Sequence, residues 1–187
     1  MTDVFASEHY AVKPGTDLAV ALAMIHTILK EEKYNKSFIY KYSDAPVLVD
    51  LKARKALKTE DGKFLAWSTK NNKAAVIDEC EAPALEGGPF KVNGKSVKPV
   101  LQLLTEATAK NTPEWAEKIS EVPAKDIRRI ALELAAHAPY AMVPTYKRDA
   151  AGPNYANSWR LRHSIHIINP LLGAIDHEGA ILLFHDV

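Results

Sequence analysis

The 187 residues carry 24 Lys and Arg against 23 Asp and Glu, a formal net charge of 24 − 23 = +1, so there is no single-sign field of the kind that gathers nucleic acid or an anionic membrane. At 47% hydrophobic and 25% charged residues the composition is that of a folded globular protein, which excludes disorder, collagen and coiled coil and leaves a small molecule or a protein as partner. The apolar run Leu18 to Ile25 is stopped by His26 and then by Lys30 to Lys33, well short of the roughly 20 residues that cross a bilayer, so no membrane insertion by this chain is expected. Residues 1–10 show no cationic stretch leading into an apolar core; the chain reads as soluble and, as it stands, cytoplasmic, while a longer parent can be periplasmic. The single Cys80 rules out an internal disulfide and a zinc or iron-sulfur site made of cysteines alone.

In chain order, Lys13-Pro14-Gly15-Thr16-Asp17 marks a turn with Thr16 as the cap of a helix. Leu18, Ala21, Leu22, Ile25, Ile28 and Leu29 recur at helical spacing and predict a helix over 17–33. Asn35 caps a second, short helix through Phe38, Ile39 and Tyr42, which reads as a packed partner of the first. Between Pro46 and Lys98 short apolar runs alternate with Gly, Asn and Pro, a β-rich insertion over 46–98. Two hairpins are expected there, around Asn71-Asn72 and around Asn93-Gly94, the second being the two-residue pair that takes positive φ at both positions. Cys80 lies between them and reads as a small apolar filler or an idle thiol rather than a nucleophile, since no base stands near it in sequence.

Helix returns over 99–110, again after the Thr112-Pro113 cap with Trp115 and Ile119 inward, and again from Pro123, where Ile127, Ile130, Ala131, Leu134 and Ala135 form one stripe ending near His137. Tyr140 to Pro144, apolar and short, reads as a buried strand of an α/β sheet that delivers the loop 145–157 to a ligand site. A last helix begins near Asn157 or Ser158, with Trp159, Ile165, Ile168, Leu171 and Leu172 on its apolar side and a break at Pro170.

Three groups of residues can carry chemistry. Asp17 at a helix start reads from pattern alone first as an ordinary first-turn acid meeting the helix dipole; the other reading is that it accepts the two N–H groups of a guanine edge while Gly15 lets backbone approach the nucleotide. Tyr146, Lys147, Arg148 and Asn154, in a loop with Gly152, supply cations and an amide that can cradle phosphate or a polar heterocycle, or simply be solvated. His163 and His166, three residues apart, could share one helix face for a metal, but no acid follows in the spacing of a metal-binding helix, and they read as packed or hydrogen-bonded side chains instead. No GxGxxG, Walker or Gly-x-Ser-x-Gly pattern is present, so neither a familiar dinucleotide loop nor a serine nucleophile is indicated.

Four stretches in this order, Val12-Lys13-Pro14-Gly15-Thr16-Asp17-Leu18-Ala19, Glu31-Glu32-Lys33-Tyr34-Asn35-Lys36-Ser37-Phe38, Thr112-Pro113-Glu114-Trp115-Ala116-Glu117 and Val122-Pro123-Ala124-Lys125-Asp126-Ile127-Arg128-Arg129, resemble the molybdopterin oxidoreductase family, the dimethyl sulfoxide reductase superfamily of molybdenum or tungsten enzymes. The tail from Gly152 through Leu171-Leu172-Gly173-Ala174-Ile175-Asp176-His177-Glu178-Gly179 is similar to that family's closing helix and Gly-rich stop. Residues 46–98 fall outside the common core and look like an insertion found in some branches, for example those resembling thiosulfate or polysulfide reductases.

The resemblance implies that residues 1–187 form a single, partial cofactor-binding α/β domain: helices on a small, mainly parallel Rossmann-like sheet, with the β-hairpin insertion within it. It implies molybdopterin guanine dinucleotide as cofactor, with Gly15, Thr16 and Asp17 at the guanine end and Tyr146, Lys147, Arg148 and Asn154 near the pterin. It places the metal, molybdenum or tungsten, and an iron-sulfur cluster outside this chain, whose partners are the remaining domains or subunits of the oxidoreductase. No catalytic residue and no metal ligand is assigned, and the chain alone is expected to be inactive. Where the family carries Gly-Gly this sequence has Gly179-Ala180, and Ile181 to Phe184 has no clear counterpart. The rival reading is a non-catalytic relic or scaffold that binds a protein partner.

Overall fold

The computed structural model describes residues 6–144 and 156–183. In chain order its elements are α1 (Asp17–Lys30), α2 (Lys36–Tyr42), β1 (Leu48–Asp50), β2 (Lys55–Ala56), β3 (Leu65–Ser68), β4 (Lys73–Val76), β5 (Phe90–Val92), β6 (Lys95–Pro99), α3 (Val100–Thr108), α4 (Pro113–Ser120), α5 (Ala124–Ala136) and α6 (Ser158–Leu172). The chain divides into two compact units, Met1–Tyr34 with Thr108–Val187, and Asn35–Ala107.

The first unit is helical, with α1 packed against α4, α5 and α6. Alanines at 19, 21 and 23 are buried on α1 beside Met24, Ile25, Ile28 and Leu29. Their small side chains leave room for backbones to approach, and on the helices packed against α1 the residues Ile127 and Ala131 of α5, Ala116 of α4, and Ile168 and Leu172 of α6 are all buried. Each fully buried Ile or Leu contributes about 1.5–3 kcal/mol relative to exposure, which is what holds short helices that are marginal alone. Helix α1 stops three residues before the predicted Lys33. Glu32 turns left-handed at φ 49°, and the Lys33 N–H closes back on the Ile28 carbonyl at 2.9 Å. Helix α2, read from sequence as its packed partner, falls in the second unit.

Two caps form as the sequence indicates: the Thr112 hydroxyl accepts the Trp115 N–H at 3.2 Å, and the Asn35 side chain accepts the Phe38 N–H at 3.0 Å. The face that α4 buries is Pro113, Ala116 and Ser120, with Trp115 and Ile119 only half-buried. Helix α6 is not broken at Pro170 but runs on to Leu172, because the proline sits in the last turn; Gly173, at φ 70°, ends it.

The second unit contains a four-stranded sheet in the order β2-β1-β6-β5 and a separate β3-β4 pair, every ladder antiparallel. Strands β5 and β6 are joined by Asn93-Gly94 alone, with φ of 48° and 76°, the two-residue reversal expected from that pair. Leu48, Leu57 and Val97 are buried at the centre, and the Trp67 and Phe90 rings stack at 4.4 Å.

The α/β class stands, but the expected mainly parallel, Rossmann-like sheet does not. Three of the four ladders, β1-β2, β3-β4 and β5-β6, are hairpins whose short links force neighbouring strands to run antiparallel, whereas parallel neighbours need a crossover of a dozen residues or more. Tyr140 to Pro144, assigned from sequence to that parallel sheet, joins no strand among the described residues. Val143 pairs instead with the side chain of Asn169 on α6. Among the described residues the one parallel contact is an isolated bridge between Ile175 and Ile181.

Candidate functional site

The turn that leads into α1 is set by two residues of special backbone. Pro14 supplies a fixed φ, and Gly15 stands at φ 80°, the pattern of a type II turn in which the third residue must be left-handed. The Thr16 N–H closes that turn on the Lys13 carbonyl at 3.1 Å. The Thr16 hydroxyl donates to the same carbonyl at 2.6 Å and makes no cap to the helix, which corrects the capping role expected of it. With ψ at 6° rather than in the extended region, Thr16 faces its hydroxyl back into the turn.

Asp17 follows as the first residue of α1, half-buried, and its carboxylate engages no other described residue. The Ala19 N–H donates to the Thr16 carbonyl at 2.9 Å, while the Asp17 and Leu18 N–H groups have no backbone acceptor among the described residues, so the Asp17 carboxylate stands beside two open amide donors. That combination matches a guanine edge, which presents two N–H donors next to a carbonyl acceptor. Gly15, Thr16 and Asp17 are thus brought together; Tyr146, Lys147, Arg148 and Asn154 lie outside the described residues.

Residues sequence reasoning passed over hold this turn. The Lys13 N–H donates to the Ser120 carbonyl at 3.0 Å, and the Lys13 ammonium lies 3.2 Å from Glu121 Oε1. Ser120 is fully buried; its hydroxyl donates to the Ala116 carbonyl at 2.8 Å, and Glu121 after it is left-handed at φ 66°. Further upstream, Arg129 of α5 reaches Glu8, donates to the Tyr10 hydroxyl at 2.8 Å, and holds Glu133 with bonds of 3.1 and 2.9 Å. The Tyr10 hydroxyl donates to Glu8 at 2.8 Å. That phenol and then Arg129 hold the Glu8 carboxyl below its ordinary pKa, and Glu8 in turn raises that of Tyr10. No local pattern announces these partners, because Arg129 and Glu8 stand 121 residues apart.

The remaining candidates do not converge on the turn. His163 and His166 are exposed on α6, and among the described residues no group of three or more His, Cys, Asp and Glu is placed to hold a metal ion. Cys80 is half-buried after a short 3-10 turn, and burial pushes its thiol pKa up, away from thiolate reactivity. A shallow depression among His26, Lys30, Glu31, Thr112, Glu114 and Arg128 sits at the far end of α1 from Asp17 and mixes both signs of charge. Within it Arg128 binds Glu114 at 2.7 Å.

No family model matches the chain. Curated relatives do. A selenate reductase subunit from Mesobacillus selenatarsenatis is 31% identical over 91% of this chain and 18% of its own length. The perchlorate reductase alpha subunit from Dechloromonas aromatica is 31% identical over 89% of the chain and 22% of its own. The thiosulfate reductase molybdopterin-containing subunit of Salmonella typhimurium is 27% identical over 94% of the chain and 16% of its own.

The chain belongs to the molybdopterin oxidoreductase family. The chain spans about a fifth of the length of these curated family members. Their match extends through the β-rich stretch as well as the helical unit, since it takes in about nine-tenths of the residues. Among the described residues of this family member no helix is long and apolar enough to cross a membrane.

Proposed function

We propose that this chain forms part of the site for a pyranopterin guanine dinucleotide in a molybdenum or tungsten oxidoreductase, with the Lys13–Asp17 turn taking the guanine. The observation that carries the reading is the juxtaposition of left-handed Gly15, the open Asp17 and Leu18 amides at the start of α1 and an Asp17 carboxylate that engages no other described residue. Asp17 would accept from the N1 and N2 donors of guanine, and the neighbouring amides would donate to O6, an arrangement that disfavours adenine, whose edge reverses donor and acceptor. Tyr146, Lys147, Arg148 and Asn154 are assigned to the neighbourhood of the pterin. When bound, the cofactor supplies dithiolene sulfurs to the metal; residues of this chain bind and orient its organic part.

The relatives' names cite selenate, perchlorate and thiosulfate, all inorganic oxyanions, so reduction of such an anion by the whole protein is the substrate class we infer, with a thiosulfate or polysulfide reductase as the narrower reading. The partners are then the other domains or subunits that complete the cofactor cleft and carry the metal and an iron-sulfur cluster.

Calorimetric titration with GDP, guanosine and adenosine tests the guanine site. Saturable binding of both guanine compounds, with adenosine weaker by about tenfold or more, is expected, and Asp17→Ala should remove the difference. Equal binding of guanosine and adenosine, or guanosine binding untouched by Asp17→Ala, overturns it.

A further inference from the structure

We propose that Glu8–Lys13 is a strap, and that its fastening by Arg129 and Ser120 sets the position of the Gly15–Asp17 turn for a guanine base. This inference rests on the guanine reading above and deepens it by naming the positioning residues.

A Pro-Gly turn at the start of a helix is held on the helix side by the helix itself. Here the other side is tied as well. Lys13 is the junction, because its N–H donates to the Ser120 carbonyl at 3.0 Å while its own carbonyl receives both the Thr16 N–H at 3.1 Å and the Thr16 hydroxyl at 2.6 Å. Any displacement of Lys13 therefore displaces the turn. The acceptor does not wander: Ser120 is fully buried, its hydroxyl is bonded to Ala116 and also accepts the Val122 N–H at 3.3 Å, and left-handed Glu121 bends the chain away just after it.

The second fastening lies five residues upstream, at Glu8. One guanidinium, that of Arg129, meets Glu8, Tyr10 and Glu133, with Asp126 Oδ1 at 3.9 Å from its Nε. Exposed ion pairs taken singly hold little, but a planar fork with donors already oriented along α5 by Glu133 loses less freedom on gripping Glu8 and Tyr10 than a lone side chain would. Fastening through exposed charge also makes the strap sensitive to salt. Arg129 and Ser120 act through Lys13, as positioning residues.

Guanosine is the probe, since it is uncharged and its own contacts are not screened. With the full 187-residue chain, Arg129→Leu should weaken guanosine by about fivefold, Arg129→Lys should recover part of the loss, and wild-type affinity should fall with added salt while that of Arg129→Leu stays level. A lower denaturation midpoint in Arg129→Leu with unchanged guanosine affinity means that Arg129 only supports the fold, and overturns the proposal. Hydrogen exchange gives a readout without ligand: the Lys13 amide should exchange faster in Arg129→Leu while Ile127 and Ala131 keep their protection, and unchanged protection at Lys13 overturns the strap. Wild-type binding abolished by Asp17→Ala and untouched by Arg129→Leu overturns the strap alone. Failure of the wild type to bind guanosine overturns the guanine reading, and the strap's role with it.

Discussion

The side-chain amide of Asn169 exchanges two hydrogen bonds with the backbone of Val143: the Val143 N–H donates to Oδ1 and Nδ2 donates to the Val143 carbonyl, both at 2.9 Å. A fully buried residue of α6 thereby supplies to the Val143 backbone what a neighbouring strand would supply in a sheet. Replacing it by Leu keeps the volume and leaves both Val143 groups without a partner, at a cost of about 2 kcal/mol in chemical denaturation. Asn169→Asp keeps the acceptor but sets a buried carboxylate against the Val143 carbonyl. Its pKa in the folded protein is raised above the unfolded value, so the variant should lose stability as pH rises through the carboxylate range and regain it in acid, where the protonated group donates again.

Glycine is required at one turn and only convenient at another. A Cβ on Gly179 would lie 2.3 Å from the Tyr140 carbonyl oxygen and 3.2 Å from its carbon, with φ at 79° besides. Gly179→Ala should therefore cost well over the roughly 1–2 kcal/mol of a left-handed alanine, because backbone must move. Gly94, at φ 76° with nothing within 4 Å of its Cβ position, should cost only that conformational amount on change to Ala. Urea midpoints of the two variants compare them directly.

Acid should weaken one tie between α4 and α5. Hydrogen bonds from Arg128 first, then from the Glu114 backbone and Thr112, hold the Glu114 carboxyl down at about 2. A carboxylate depressed in the folded state stabilises fully above its unfolded pKa, about 4.3, and that contribution is lost as pH falls through about 2. Wild type should thus be more stable than Glu114→Gln near neutrality, and the gap should close between those two values in a pH series of thermal midpoints. Both side chains are largely exposed, so the gap should also shrink in salt.

Thr112 and Thr16 precede helices of opposite character. Thr112→Ala removes a cap whose bond is present and should cost about 1 kcal/mol. Thr16→Ala removes no cap, only the bond to the Lys13 carbonyl, and should cost less in the same denaturation assay. The reverse order would contradict the turn geometry.

What the sequence determined by itself is what acts over a few residues. The helix at α1, the caps at Asn35 and Thr112, and the positive-φ reversal at Asn93-Gly94 each depend on side chains within one or two turns of one another, and all are present in the structure, although Leu18 and Leu22 of the expected α1 stripe are only half-buried while Ala19, Ala23 and Met24 are buried. The order of four short motifs likewise carried the family. Tertiary structure alone decided which partners lie across the chain. Val143 reads as a strand because its neighbours are apolar, yet the atoms that satisfy it belong to Asn169, 26 residues on. Thr16 reads as a cap, yet its hydroxyl serves the turn that Ser120 holds through Lys13. Periodicity records which face of an element is buried; which buried hydrogen-bonding group meets it is settled only when the helices pack and every such group must find a partner.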